Sequence, residues 1–211
     1  MVDTDARVER VLAEYDARAA AESRLFAAGW DLDDRRDQLL LRIGPDTGRL
    51  VNILAKGAGA RSILELGTSF GYSTVWLAEA ARETGGRVIT LDLARHKQDY
   101  ARTMLDRAGL ADQVDWRTGD ALELLKELDG PFDFVLIDLW KDLYVPCFEL
   151  IAPKLAPRAI LVADNMLRPE YARADAEAYR ARVRRHRDME SVLLEVGSGI
   201  CVSRYAPPRR T

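Results

Sequence analysis

Asp138 closes the apolar run FDFVLID (132–138), and Asp164 with Asn165 closes AILVAD (159–164). If the two runs are neighbouring strands, two carboxylates and an amide converge at one sheet edge. These are hard oxygen ligands suited to Mg²⁺, Ca²⁺ or Mn²⁺, with positions left for water or substrate. Lys141 follows Asp138 by three residues in LWKDLY. A neighbouring cation would favour its neutral amine, the form that serves as a general base. Trp140 beside it could cover a bound ring or plug the end of a sheet. The same residue types also have structural uses, since Asp and Asn cap turns and a loop lysine is ordinarily solvated. His96 and His186, the two histidines, fall in helical segments, which argues against a His-rich zinc site.

A second group lies upstream. In ELGTSFGYS (65–73), Gly67 and Gly71 are four apart and Ser73 opens a helical stretch. Glycines there let backbone approach a ligand, and the helix start supplies free N–H donors. Ser69 and Tyr72 break the G-x-G-x-x-G pattern, and no Gly-Lys-Ser/Thr follows, so neither a dinucleotide fingerprint nor a P-loop is present. The next apolar run, RVITLDL (87–93), carries Asp92 near its end, where an acid can accept hydrogen bonds from a ribose diol. Turn and acid together suggest a nucleoside ligand without a pyrophosphate. A tight turn and a helix-capping Asp would look the same.

These residues need a scaffold that brings strand ends together. SILELG (62–67), RVITLDL, QVDWR (113–117), FDFVLID and AILVAD alternate with helical stretches at 73–83, 96–109 and 121–128 and one between the last two runs. That alternation predicts a parallel α/β sheet covered on both faces. MESVLLEV (189–196) and GICVSRY (199–205), separated by Gly197 and Ser198, read as an antiparallel hairpin. Before residue 60 the pattern is helical. Val8, Val11, Leu12 and Tyr15 form an amphipathic stripe, with Thr4 or Asp5 as cap and Gly29 as stop. Further helices are expected at about 33–41 and 45–56. The expected organisation is a single domain over 1–211, with a helical extension and lid over 1–60 and an α/β core over 61–205.

Composition narrows the partners. Lys and Arg number 31 against 34 Asp and Glu, a formal charge of −3, which argues against nucleic acid as the main partner. Cys147 and Cys201 fit neither a disulfide framework nor a C-x-x-C pair. No apolar stretch approaches the ~20 residues of a membrane helix, and MVDTDARVERV does not read as a secretory signal, so a cytoplasmic protein without membrane attachment is expected.

In order, ELGTSFGYS, VITLD, TGDALELL, DFVLIDLWKDLY and VADNMLRP resemble the class I S-adenosylmethionine-dependent methyltransferases. More narrowly, they resemble the metal-dependent O-methyltransferases that include catechol and caffeoyl-CoA O-methyltransferases. The likeness runs from about Leu41 to Tyr205. It implies a Rossmann-like, mostly parallel sheet with helices on both faces, a C-terminal antiparallel hairpin and an N-terminal helical extension. It also implies S-adenosylmethionine and a divalent cation, Mg²⁺, as cofactors, a small aromatic acceptor with vicinal hydroxyls, and a homodimer.

Carried over by position, Glu65, Gly67, Gly71, Tyr72 and Ser73 would meet the amino-acid end of S-adenosylmethionine, and Asp92 its ribose. Asp120 and Ala121 would lie by the adenine, and Leu41 and Ile43 in the segment closing over the cofactor. Asp138 and Trp140 would also border the cofactor. Asp138, Asp164 and Asn165 match metal ligands, Lys141 the catalytic lysine, and Trp140 and Pro169 the hydrophobic border of the acceptor. Leu139 stands where the mammalian catechol enzyme has His, LLLRI (39–43) has no Trp, and the acid near the hairpin start aligns at Leu194 or Glu195. Rival readings are a metal-independent small-molecule methyltransferase and a non-catalytic S-adenosylmethionine-binding protein. The run YRARVRRHR (179–187) suits a solvated helix face or contact with an anionic acceptor such as a CoA thioester.

Overall fold

The computed structural model describes residues 5–27 and 37–208, the side chain of Phe26 excepted. Seven strands form one sheet: β1 (Ser62–Leu66), β2 (Arg87–Asp92), β3 (Val114–Thr118), β4 (Phe132–Ile137), β5 (Leu155–Ala163), β6 (Met189–Leu194) and β7 (Ile200–Tyr205). Their order is β3-β2-β1-β4-β5-β7-β6. The first five are parallel, while β7 runs antiparallel to both β5 and β6. The alternating fold and closing hairpin expected from the sequence are both present.

Among the described residues, seven α-helices cover the sheet: α1 (Ala6–Ala27), α2 (Pro45–Gly57), α3 (Tyr72–Thr84), α4 (Arg95–Ala108), α5 (Ala121–Glu127), α6 (Tyr144–Ile151) and α7 (Arg173–Arg185). The period-2 pleat divides their work. Ile63, Phe134 and Leu136 point into a core with α1 to α4. Leu64, Leu66, Val135 and Ile137 point into a core with α5 to α7.

The stripe Val8, Val11, Leu12 and Tyr15 of α1 is buried in the first core, and the Tyr15 hydroxyl donates to the Phe70 carbonyl at 2.5 Å. A homodimer could not use that stripe without opening the core. Asp5 caps α1 by accepting from Arg7 N–H at 2.9 Å; Thr4 and Gly29 lie outside the described residues. Both cysteines are free and buried. No helix among the described residues is long and apolar enough to cross a membrane.

Two expectations need correction. The helix at 33–41 falls partly outside the described residues. Of the remainder, Asp37 and Gln38 form part of a 3₁₀ turn and Leu40–Gly44 is irregular. Side chains of α1 take up this backbone instead: Arg18 donates to Gln38 O at 2.7 Å, and Leu40 N–H donates to Glu22 at 2.9 Å. Strand β5 begins at Leu155 rather than at Ala159, with a register shift where Pro157 lacks an N–H and Arg158 turns to φ 76°.

A buried polar network underlies the carboxyl ends of β1 and β2. Thr74 and Thr90 hydroxyls each donate to Glu65 at 2.6 Å, and Thr68 and Thr90 hydroxyls lie 2.6 Å apart. Gln98 donates to Thr68 at 3.0 Å and accepts from Thr118 at 2.6 Å. Burial pushes the Glu65 carboxyl up to about 7, against the help of its hydroxyl donors. A raised carboxyl pKa means the folded state holds its proton more tightly than the unfolded chain. That stabilisation is complete below the ordinary value near 4.5 and lost as pH rises through about 7. Glu65→Gln is therefore expected to stabilise the ligand-free protein by about 1 to 3 kcal/mol at pH 8, and by much less at pH 4.5, measured as urea unfolding at both pH values.

Candidate active site

The sheet register explains how distant residues meet. Leu66 pairs with Leu91 on one side and Ile137 on the other, and Ile137 pairs with Ala163. The residues that follow, Gly67, Asp92, Asp138 and Asp164, therefore emerge side by side at the carboxyl edge. The ladder continues into them: Gly67 N–H donates to Leu91 O at 2.9 Å, Asp138 N–H to Leu66 O at 2.9 Å, and Asp164 N–H to Ile137 O at 3.1 Å. The chain steps from β1 outward through β2 to β3 and then crosses back to β4 on the other side of β1, so a crevice opens where the direction reverses.

A cleft of about 690 Å³ occupies that position. Its floor is tight. A Cβ on Gly67 would lie 2.1 Å from the Asp138 carbonyl oxygen, and Gly67 holds φ 96°, so only glycine fits. Both carboxylate oxygens of Asp92 are oriented by backbone, accepting from Ser69 N–H at 2.7 Å and Ala94 N–H at 2.8 Å. The Asp120 carboxylate caps α5 through Leu122 and Glu123 N–H groups at 2.9 and 3.1 Å. Exposed Leu93, with Ala121 and Leu139, makes the cleft apolar at this end.

At the other end stand Asp138, Trp140, Lys141, Asn165, Pro169 and Tyr171. Lys141 Nζ has three acceptors, the full donor capacity of an ammonium: Leu139 O at 2.8 Å, Tyr144 Oη at 2.9 Å and Asp138 Oδ1 at 3.2 Å. Asp164 is 3% exposed, and its Oδ1 is buried without a hydrogen-bond partner among the described residues. Burial, with the Asp138 charge adding to it, pushes the Asp164 carboxyl up to about 7. Among the described residues, three of the four non-glycine residues with positive φ, Leu41, Ser69 and Asn165, border the cleft. Such strain gathers where surrounding structure holds a functional geometry.

Of the residues singled out from the sequence, Leu41, Gly67, Asp92, Asp120, Ala121, Asp138, Trp140, Lys141, Asn165 and Pro169 line the cleft. The others do not reach its wall, and Asp164 is among them, buried next to Asn165 in the chain. Ile43 is 2% exposed in the first core, and Glu65 is wholly buried in the polar network. Gly71 caps α3. Ser73 is buried, and so is Tyr72, whose ring carries the Arg42 guanidinium 4.7 Å from its centroid. Leu194 packs on the first core, and neither it nor Glu195 lines the cleft. The structure adds Ser69, Lys97, Tyr171 and Asp175 to the walls. Lys97 had a readable signal, at the start of the helix after Asp92; Tyr171 and Asp175 had none.

The arginine run lies at the far end of α7 from the cleft. Asp175 in the first turn lines the cleft, and Arg184 lies about 13 Å further along at 1.5 Å per residue. Arg182 pairs with Glu149 of α6. Arg184 and Arg185 are exposed, whereas Arg180 and Arg182 are half-buried.

Comparison with known proteins agrees with this arrangement. A model of the O-methyltransferase family matches residues 30–205. Catechol O-methyltransferase of Niastella koreensis is 38% identical over 159 residues, covering 74% of this chain and 68% of that one. Catechol O-methyltransferase of Mycobacterium tuberculosis is 37% identical over 172 residues, covering 79% and 77%. Among solved structures, an O-methyltransferase from Bacillus cereus in complex with SAH superposes with a TM-score of 0.76 at 29% identity, covering 97% of this chain and 93% of that one. The chain belongs to the O-methyltransferase family, as an S-adenosylmethionine-dependent enzyme.

Proposed function

We propose that the enzyme transfers the methyl group of S-adenosylmethionine to one of two vicinal hydroxyls on a small aromatic acceptor, with Mg²⁺ held by Asp138, Asp164 and Asn165. The observation that carries this is the meeting of two carboxylates, an amide and a lysine at one sheet edge. The donor set fits a hard cation, because the buried Asp164 Oδ1 lacks a donor and a buried acceptor left that way is costly. When bound, the cation would lower the cost of ionising a chelated hydroxyl. No cluster of three or more His, Cys, Asp or Glu side chains suited to a metal occurs among the described residues.

The chain's own residues then divide the work. Asp92, already oriented by two N–H groups, accepts from the ribose hydroxyls, while Gly67 lets the backbone pass close beneath the methionyl portion. Leu93, Ala121 and Leu139 pack the adenine, with Leu41 closing over it. Trp140, Pro169 and Tyr171 border the acceptor ring. Lys141, in its neutral amine form, takes up the proton of the reacting hydroxyl. The new O–CH₃ bond forms as the CH₃–S bond breaks, leaving S-adenosylhomocysteine and a methyl ether. Holding both partners in line supplies most of the acceleration.

The rim favours a small acceptor over a CoA thioester. Asp142 and Asp175 line the acceptor end as exposed carboxylates. The catechol O-methyltransferase relatives support the same choice.

Two outcomes follow. Asp138→Ala, or EDTA on the unaltered enzyme, should lower methyl transfer to a simple catechol by about 100-fold or more, while S-adenosylhomocysteine still binds. Labelled-methyl assays check this; retention of more than about a tenth of the activity would remove the metal from the mechanism. Steady-state kinetics should also give kcat/KM for a simple catechol about 10-fold or more above that for caffeoyl-CoA. Joint Asp142→Asn and Asp175→Asn substitution should narrow that gap, since a carboxylate rim repels phosphates.

A further inference from the structure

Tyr144 opens α6, three residues after Lys141, and is fully buried. Its hydroxyl oxygen lies 2.9 Å from Lys141 Nζ, 3.1 Å from Ile137 O and 3.2 Å from Asp164 O. A phenol has one proton, which it shares between the two carbonyls while its lone pair accepts from the lysine. Ile137 ends β4 and Asp164 follows β5. One buried oxygen is therefore bonded to both strand ends that carry the acids and to the lysine as well.

The ring leaves this oxygen little freedom. It packs edge-on to Tyr179, with centroids 5.6 Å apart at 81°, inside the second core. Lys141 Nζ also stands 4.9 Å from the ring centroid. A lysine stem has many rotamers, and holding its amine in one place needs acceptors that do not move. Leu139 O and Tyr144 Oη, at 2.8 and 2.9 Å, are neutral and closer than Asp138 Oδ1 at 3.2 Å. They anchor the amine without drawing it wholly into an ion pair. Phenylalanine would fill the same volume, so the hydroxyl is what the position adds.

We infer that Tyr144 is a positioning residue for methyl transfer, its hydroxyl holding the Lys141 amine at the cleft wall and so governing turnover rather than substrate affinity. The inference rests on the role given to Lys141 in the proposed reaction.

The test is a double-mutant cycle of Tyr144→Phe and Lys141→Met, assayed with whichever catechol is turned over. Tyr144→Phe should lower kcat about 10- to 100-fold, with KM for acceptor and S-adenosylmethionine within about threefold. Calorimetric binding of S-adenosylhomocysteine should be unchanged. In the Lys141→Met background the same substitution should alter kcat less than about twofold, because a residue acting through the lysine has nothing left to position. Multiplying losses, or an unchanged kcat in Tyr144→Phe, would overturn the inference alone. Unchanged turnover in Lys141→Met would remove the lysine's role and the inference with it. If Tyr144→Phe does not fold, ¹⁵N NMR of lysine side chains in the unaltered enzyme decides. An ammonium signal that disappears in Lys141→Met and shows an Overhauser contact to tyrosine ring protons supports the inference, and no such contact overturns it.

Discussion

In a parallel sheet the hydrogen-bond ladder sets the register, and here it brings β1, β2, β4 and β5 to a common edge. Because Leu66, Leu91, Ile137 and Ala163 are linked in one register, the residue after each lands beside the others without any long-range side-chain contact. A slip of one residue would turn Asp138 and Asp164 toward the helices and put apolar side chains at the edge. The two cores resist that slip, since each strand's alternate residues are committed to opposite layers. The chemistry of the cleft thus depends on apolar residues that never touch it.

A second layer of control comes from α1. Its apolar stripe anchors it to the first core, which leaves its polar edge free to hold the irregular segment before α2. Arg18 and Glu22 grip the backbone at Gln38 and Leu40, and Arg42 pairs with Asp16 at 2.9 Å. Tyr15 reaches across to the Phe70 carbonyl in the glycine turn. The cofactor end is thus bordered by two backbone segments, each with a residue at positive φ, Leu41 and Ser69, and each tied to α1. That tethering offers a physical reason for strained backbone to persist there, since unsupported positive φ at such residues is unfavourable.

Polar groups beneath the edge complete the arrangement. The hydroxyl and amide network around Glu65 and Gln98 fastens β1, β2 and β3 to α3 and α4, whereas Tyr144 fastens β4 to β5. The first stands under the end of the cleft proposed for the cofactor and the second under the end proposed for the acceptor. Buried networks of this kind are worth most when every member is satisfied. Two carboxylate oxygens, Glu65 Oε1 beneath one end and Asp164 Oδ1 beneath the other, are buried without a partner among the described residues.

Much of this was readable in one dimension. Alternating apolar runs ending in Gly67, Asp92, Asp138 and Asp164 announce parallel strands with polar tips, because strand burial and strand termination are local properties of composition. The stripe of α1 and the hairpin after Met189 were legible for the same reason. What one dimension could not supply was partnership. Glu65 looked like a ligand contact and became a network anchor, because its side chain points to the helix layer rather than to the edge. Residues 37–41 looked helical as part of a segment at about 33–41, until side chains of α1 took backbone hydrogen bonds there. The place of the arginine run was equally hidden, since only the direction of α7 sets Arg184 about 13 Å along the helix from Asp175. Local pattern determined which elements form and which residues end them. Tertiary structure decided which of those ends face one another, because that depends on contacts between residues far apart in the chain.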